Sequence, residues 1–158
     1  MTIRLFFGVI VLAFSLSVGL AQSKPSIEGV WRITEQTIND RTLQGEKLGA
    51  GFHIYTKGYF AVVRETGESP RPGAGEISTA TTAAQLIAAW GPFVAQMGTY
   101  KVSGDRLIGT ILVAKNPENM KGDSGMQKFT IQGDTLTLEP AEIKPGARVI
   151  RLKLIRVE

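Results

Sequence analysis

Three short turns constrain this chain more than any other feature of it. Lys57-Gly58, Ser103-Gly104-Asp105 and Gly133-Asp134 each separate two runs rich in β-branched, aromatic and aliphatic residues. A glycine beside polar neighbours permits the tight reversal between two strands, so each unit reads as an antiparallel hairpin. The paired runs are 51–56 with 59–64, 99–102 with 106–114, and 126–132 with 135–139. A first strand over 30–37 and a last over 149–157 bring the succession to about eight strands. Antiparallel strands in sequence, with no repeat or second domain, point to an all-β barrel or sandwich.

The N-terminus has a different character. Arg4 supplies a positive start, the run from Leu5 to Leu20 carries no charge, and Gly19 and Ala21 place small residues before Gln22. That pattern predicts a signal peptide over 1–21, with the folded domain over 22–158 in a secreted or periplasmic compartment. Gly8, Ser15, Ser17 and Gly19 dilute the run, which argues against a retained membrane span. The chain has no cysteine, so disulfides and thiolate metal sites are excluded and the sheet and core must hold the fold. Its formal charge of +4 comes from bases scattered among acids, unlike the basic stripe of a nucleic-acid footprint.

One helix is expected between the strands. Thr82 and Gln85 have capping-box spacing, and Leu86, Trp90, Phe93 and Met97 follow as an apolar stripe, interrupted at Gly91-Pro92. Residues 66–78 contain Gly and Pro too often for a regular element and read as a loop.

These pieces occur in a recognisable order. Gly29-x-Trp31-Arg32, then Ile54-Tyr55-Thr56-x-Gly58-Tyr59, the helix, and Gly98-Thr99-Tyr100-x-Val102-x-Gly104-Asp105 lead to Asn116-Pro117 and Gly122. Gln127-Lys128-Phe129, Gly133-Asp134-x-Leu136-x-Leu138 and the closing Arg156 complete the series. The ordered set resembles the bacterial lipocalin-like domain family over nearly all of 27–158. The resemblance implies a small up-and-down barrel of the calycin type, an architecture that often holds an apolar small molecule. Two departures stand out: Leu107-Ile108-Gly109-Thr110 lacks the histidine that the family pattern carries in that strand, and Leu154 stands where tryptophan is frequent.

Alternation along the last strand puts Ile150, Leu152, Leu154 and Arg156 on one face. An arginine in register with three core residues is unusual, and the resemblance implies that Arg156 packs across Trp31 to seal the barrel. The aromatic and aliphatic candidates for the lumen are Ile33, Tyr55, Phe60, Val62, Tyr100, Leu112 and Phe129. Trp90 and Phe93 are placed to cap the mouth or cover the side. A packed interior without a ligand is the competing reading. Glu35 falls on the Trp31 face but near a strand end, where water would receive it. His53, the single histidine, is expected to point outward between Phe52 and Ile54, and it belongs to no triad or zinc pattern. Asp105, Asp123 and Asp134 follow glycines in turns and read as turn residues.

Binding of a small hydrophobic molecule in the barrel is therefore the first expectation, with no cofactor, metal or nucleic acid implied. An isomerase or cyclase acting on a buried apolar substrate would need a polar lumen group such as Tyr55, Tyr100, Glu35 or His53. A structural or interaction module with a filled core is the third reading.

Overall fold

A computed structural model describes residues 26–66, 78, 80–121 and 124–158. The leader expected over 1–21 and nearly all of the loop expected over 66–78 lie outside the described residues. Nine strands and one α-helix follow in chain order among them: β1 (Gly29–Ile38), β2 (Arg41–Gln44), β3 (Gly51–Thr56), β4 (Tyr59–Glu65), α1 (Ala83–Trp90), β5 (Phe93–Ser103), β6 (Arg106–Ala114), β7 (Ser124–Gln132), β8 (Thr135–Pro140) and β9 (Ile150–Arg156). The strands form one antiparallel sheet in the order β2-β1-β3-β4-β5-β6-β7-β8-β9, and β9 returns to pair with β1. One edge of β1 is shared, its start pairing with β3 and its end with β2, while Trp31 to Ile38 runs along β9 on the other edge. The closed ring is thus an eight-stranded antiparallel barrel, with β2 added beside it.

The turns do what their composition predicts. Lys57 and Gly58 both take positive φ, 43° and 84°, the twist that joins two right-twisted strands in two residues. β2 lies outside the eight expected strands: Asn39 takes a φ of 52° and folds Arg41–Gln44 back along the end of β1.

The expected helical stripe does not run its full length. The Thr82–Gln85 capping box is present, but the helix stops at Trp90. Pro92 cannot continue the backbone hydrogen bonding, and the chain leaves directly into β5, which begins at Phe93 rather than at 99. Phe93 and Met97 consequently lie opposite Glu65 and Ala61 of β4 instead of on the helix. Ala89 is the one buried residue of α1.

The core fills the barrel from one side. Trp31, Leu136, Leu138 and Leu154 are completely enclosed, with Ile27, Ile33 and Leu152 packed among them. Burial of this kind contributes on the order of 1.5–3 kcal/mol for each large apolar side chain.

Candidate functional site

The inward side chains of β3, β4 and β5 form three rungs. Nearest the Lys57-Gly58 turn are Tyr55, Phe60 and Gly98, followed by His53, Val62 and Gln96, and then Gly51, Arg64 and Val94. Apolar groups dominate the first rung, and a charge enters only at the third. Gly51 is needed beside that charge, because a Cβ there would lie 2.7 Å from the Cβ of Arg64 and 2.6 Å from Cδ1 of Ile33.

These rungs face a cavity of about 450 Å³. Tyr55, Phe60, Val62, Val94, Leu107, Ile150 and Leu152 provide an apolar wall, with Tyr100 beside Tyr55. His53, Arg64, Gln96, Gln127 and Arg148 provide polar groups, and the exposed Asn119, Gly125 and Met126 form part of the rim. Among the described residues the lining includes two arginines and no aspartate or glutamate.

His53 is 4% exposed, and its Nδ1 lies 3.2 Å from the Tyr55 hydroxyl. The two atoms share one hydrogen bond, in which the hydroxyl donates or accepts according to the imidazole tautomer. Burial, helped by the nearby Arg64 charge, depresses the His53 pKa to about 3, so the ring is neutral at ordinary pH. Tyr55 is shifted the other way, upward, by burial and by Tyr100, whose ring meets its own edge-on at 5.4 Å. Burial and Glu28 also raise Tyr100. The three side chains act as neutral hydrogen-bonding groups rather than charges.

Arg64 is half-buried and donates from Nη1 to Oε1 of Gln36 at 2.6 Å. Its pKa is pushed down by burial and by the like charge of Arg148. Gln36 itself is 1% exposed. Two buried side-chain nitrogens among the described residues have no hydrogen-bond partner: Nε2 of Gln36 and Nε2 of His53. Orphaned buried polar atoms of this kind cost roughly 1–3 kcal/mol each.

The other end of the barrel is built differently. The Arg156 guanidinium lies 4.1 Å from the centre of the Trp31 ring. It donates to the carbonyls of Glu28 at 2.5 Å and Ser26 at 2.7 Å, while Trp31 Nε1 donates to Ile27 O at 2.7 Å. Arg156 thereby straps residues 26–28 over the indole. Gly29, at a φ of 137°, lets the strap pass, since a Cβ there would sit 2.5 Å from both Arg156 Nη1 and the Glu158 carbonyl oxygen.

Of the lumen candidates, Tyr55, Phe60, Val62 and Tyr100 line the cavity together. Ile33 is buried in the core and Phe129 is half-buried against it, and neither lines the cavity. Leu112 is 57% exposed and does not face the lumen. Leu107 and Ile111 hold the inward parity of β6, and Leu112 is the extra residue where Met97–Val113 pairing shifts to Gly98–Ile111. Trp90 is exposed on α1, edge-on to Phe93, and does not line the cavity. His53 points inward, contrary to expectation: it shares parity with Tyr55, and strand alternation overrides its apolar neighbours Phe52 and Ile54. Glu35 leaves the Trp31 face because the register shifts between Ile33 and Glu35, which turns Gln36 inward in its place. Glu35 instead meets Gln44 and, at 3.3 Å, Lys153.

Arg64, Arg148 and Gln36 were not among the candidates. Two of them had a signal: Arg64 continues the Phe60–Val62 parity, and Arg148 continues that of Ile150, Leu152 and Leu154. Gln36 had none, because its orientation depends on the bulge.

No curated protein matches the chain. A crystal structure of an uncharacterized protein from Bacteroides eggerthii is similar, with 12% identity, a TM-score of 0.44, and coverage of 82% of this chain and 98% of that one. The lipocalin-like domain model matches residues 28–150, most of the sequence and nearly every strand described above. The chain belongs to the lipocalin-like domain family.

Proposed function

We propose that this protein is an exported carrier that binds a small, largely apolar molecule in its barrel. The observation that carries this reading is the apolar-walled cavity of about 450 Å³. That volume falls within the roughly 300–1,000 Å³ typical of small-molecule sites, as does the mixture of an apolar wall with a few polar groups. Export is supported by the charged start, the uncharged run and the small residues of 1–21.

Binding is favoured over turnover by the electrostatics of the lumen. A general acid or base works best with a pKa near the operating pH. Burial moves His53 far below that range and Tyr55 above its ordinary value. Displacement of a neutral, environment-sensitive apolar dye, together with native mass spectrometry of the purified chain, tests the proposal. Saturable binding at one site per chain, or a retained molecule in the spectrum, is the expected result. A barrel that neither retains a molecule nor takes up the dye would refute it.

A further inference from the structure

The geometry points to a ligand with a carboxylate head and an apolar tail, the head held by Arg64 and Arg148 and the tail lying along Tyr55, Phe60, Val62 and Leu107. This inference rests on the carrier reading and specifies what is carried.

Several independent observations converge on an anionic head. Two guanidinium groups line one cavity whose wall, among the described residues, contains no carboxylate. Among the described residues neither arginine forms an ion pair, and the partner of Arg64 is the neutral Gln36. A half-buried cation normally has an opposite charge beside it, yet Arg64 is near a second cation instead. An adjacent orphaned group is a donor as well: the bond from Arg64 to Gln36 Oε1 leaves the amide nitrogen unpartnered, and Nε2 of His53 has no partner among the described residues either. Around Arg64 the cavity therefore offers N–H groups, and among the described residues no carboxylate lines it to accept from them. An acceptor-only group complements it, and a carboxylate also accepts two parallel bonds from one guanidinium.

The position of the charges suits an amphiphile. Arg64 is on the third rung, away from the Tyr55–Phe60 rung, and Arg148 precedes β9 in exposed coil. A ligand with its head at this pair can extend its chain along the apolar rungs toward the enclosed core. A neutral apolar molecule would leave both guanidinium groups without an opposite charge.

Calorimetric titration of the purified chain with dodecanoate and with dodecanol separates head from tail, because the two probes share an alkyl chain. Dodecanoate should bind at least about tenfold more tightly, the size expected of charge-assisted hydrogen bonds. Arg64→Gln and Arg148→Gln should each shrink that ratio, and the double variant should bring it close to one. Arg148 lies in exposed coil, so its variant tests the pair even if Arg64→Gln folds poorly. Equal wild-type affinities, with both probes displacing a neutral apolar dye, would overturn the carboxylate inference and leave the carrier reading standing. A preference that survives the double variant would also overturn it. If dodecanoate, dodecanol and the dye all fail to bind, the carrier reading falls and this inference falls with it.

Discussion

The two ends of the barrel each set an arginine against apolar and aromatic groups, and they use it in opposite ways. Arg156 stacks on Trp31 and gives its remaining donors to two backbone carbonyls, so its hydrogen bonding is turned into structure. Arg64 has one neutral partner, a like charge nearby and an unpartnered histidine nitrogen in the same wall. The first arrangement is what a folded chain reaches when stability is the governing requirement. The second leaves interactions unmade that a ligand could complete, at some cost to the empty protein. Residue type alone therefore does not separate a structural arginine from a binding one; the state of its hydrogen bonds does.

The sharpest way to break this contrast is to remove the centre of the sealed end. Trp31 is fully enclosed, carries Arg156 on its face and bonds Ile27, so Trp31→Ala leaves a cavity and releases the strap. A loss of about 3–5 kcal/mol is expected from urea unfolding. An unchanged midpoint would mean that the barrel is not sealed there.

Gly29→Ala attacks the same end through the backbone. The new methyl meets Arg156 Nη1 and the Glu158 carbonyl at a φ that L-residues rarely adopt. The expected loss is about 1–3 kcal/mol. Retention of full stability would show that the strap can move aside without penalty.

The cavity end should reveal itself through pH. His53 has a pKa of about 3 when folded against 6.5 unfolded, so between those values the unfolded chain binds the proton and the native chain does not. Stability from this group is therefore fully present above pH 6.5 and is lost as pH falls toward 3. The slope approaches about 1.4 kcal/mol per pH unit for one proton. Carboxylates titrate in the same region, so the measurement is the difference between the parent and His53→Gln, whose curve should be flatter. Parallel curves would place His53 in contact with water.

How much of this was legible in the sequence depended on whether strand parity survived. It survived on β9, where Ile150, Leu152, Leu154 and Arg156 share a face, and that parity together with the family resemblance let the seal of Arg156 on Trp31 be anticipated. It survived on β3 as well, where the inward position of Tyr55 requires His53 to point inward. Judging His53 by its immediate neighbours concealed that. Applying the Arg156 reasoning to Arg64 and Arg148 would have exposed the second arginine pair, because both sit in step with core residues. Parity failed on β1, where a bulge turns Gln36 inward; on β6 the parity of Leu107 and Ile111 leaves Leu112 outside, but two largely apolar faces hid which one is inward. A bulge depends on pairing with a distant strand, so local composition carries no trace of it. The early start of β5 has a similar origin, since Phe93 becomes a strand residue by pairing with Glu65 of β4.

The smallest expected effect discriminates best between the two ends. Arg156→Gln removes the guanidinium from Trp31 and loosens residues 26–28, a loss of about 1–2 kcal/mol in the empty protein. Arg64→Gln gives up one bond to Gln36 but also relieves a desolvated charge of its repulsion with Arg148. These terms oppose each other, so the net change should stay within about 1 kcal/mol of zero and could be stabilising. Parallel denaturation of the two variants, without added ligand, decides the matter. If Arg64→Gln lost as much stability as Arg156→Gln, Arg64 would be a structural residue with its interactions already complete. If it lost none, the charge in the cavity wall would contribute nothing to the empty fold, and its presence there would have to be explained by what the barrel holds.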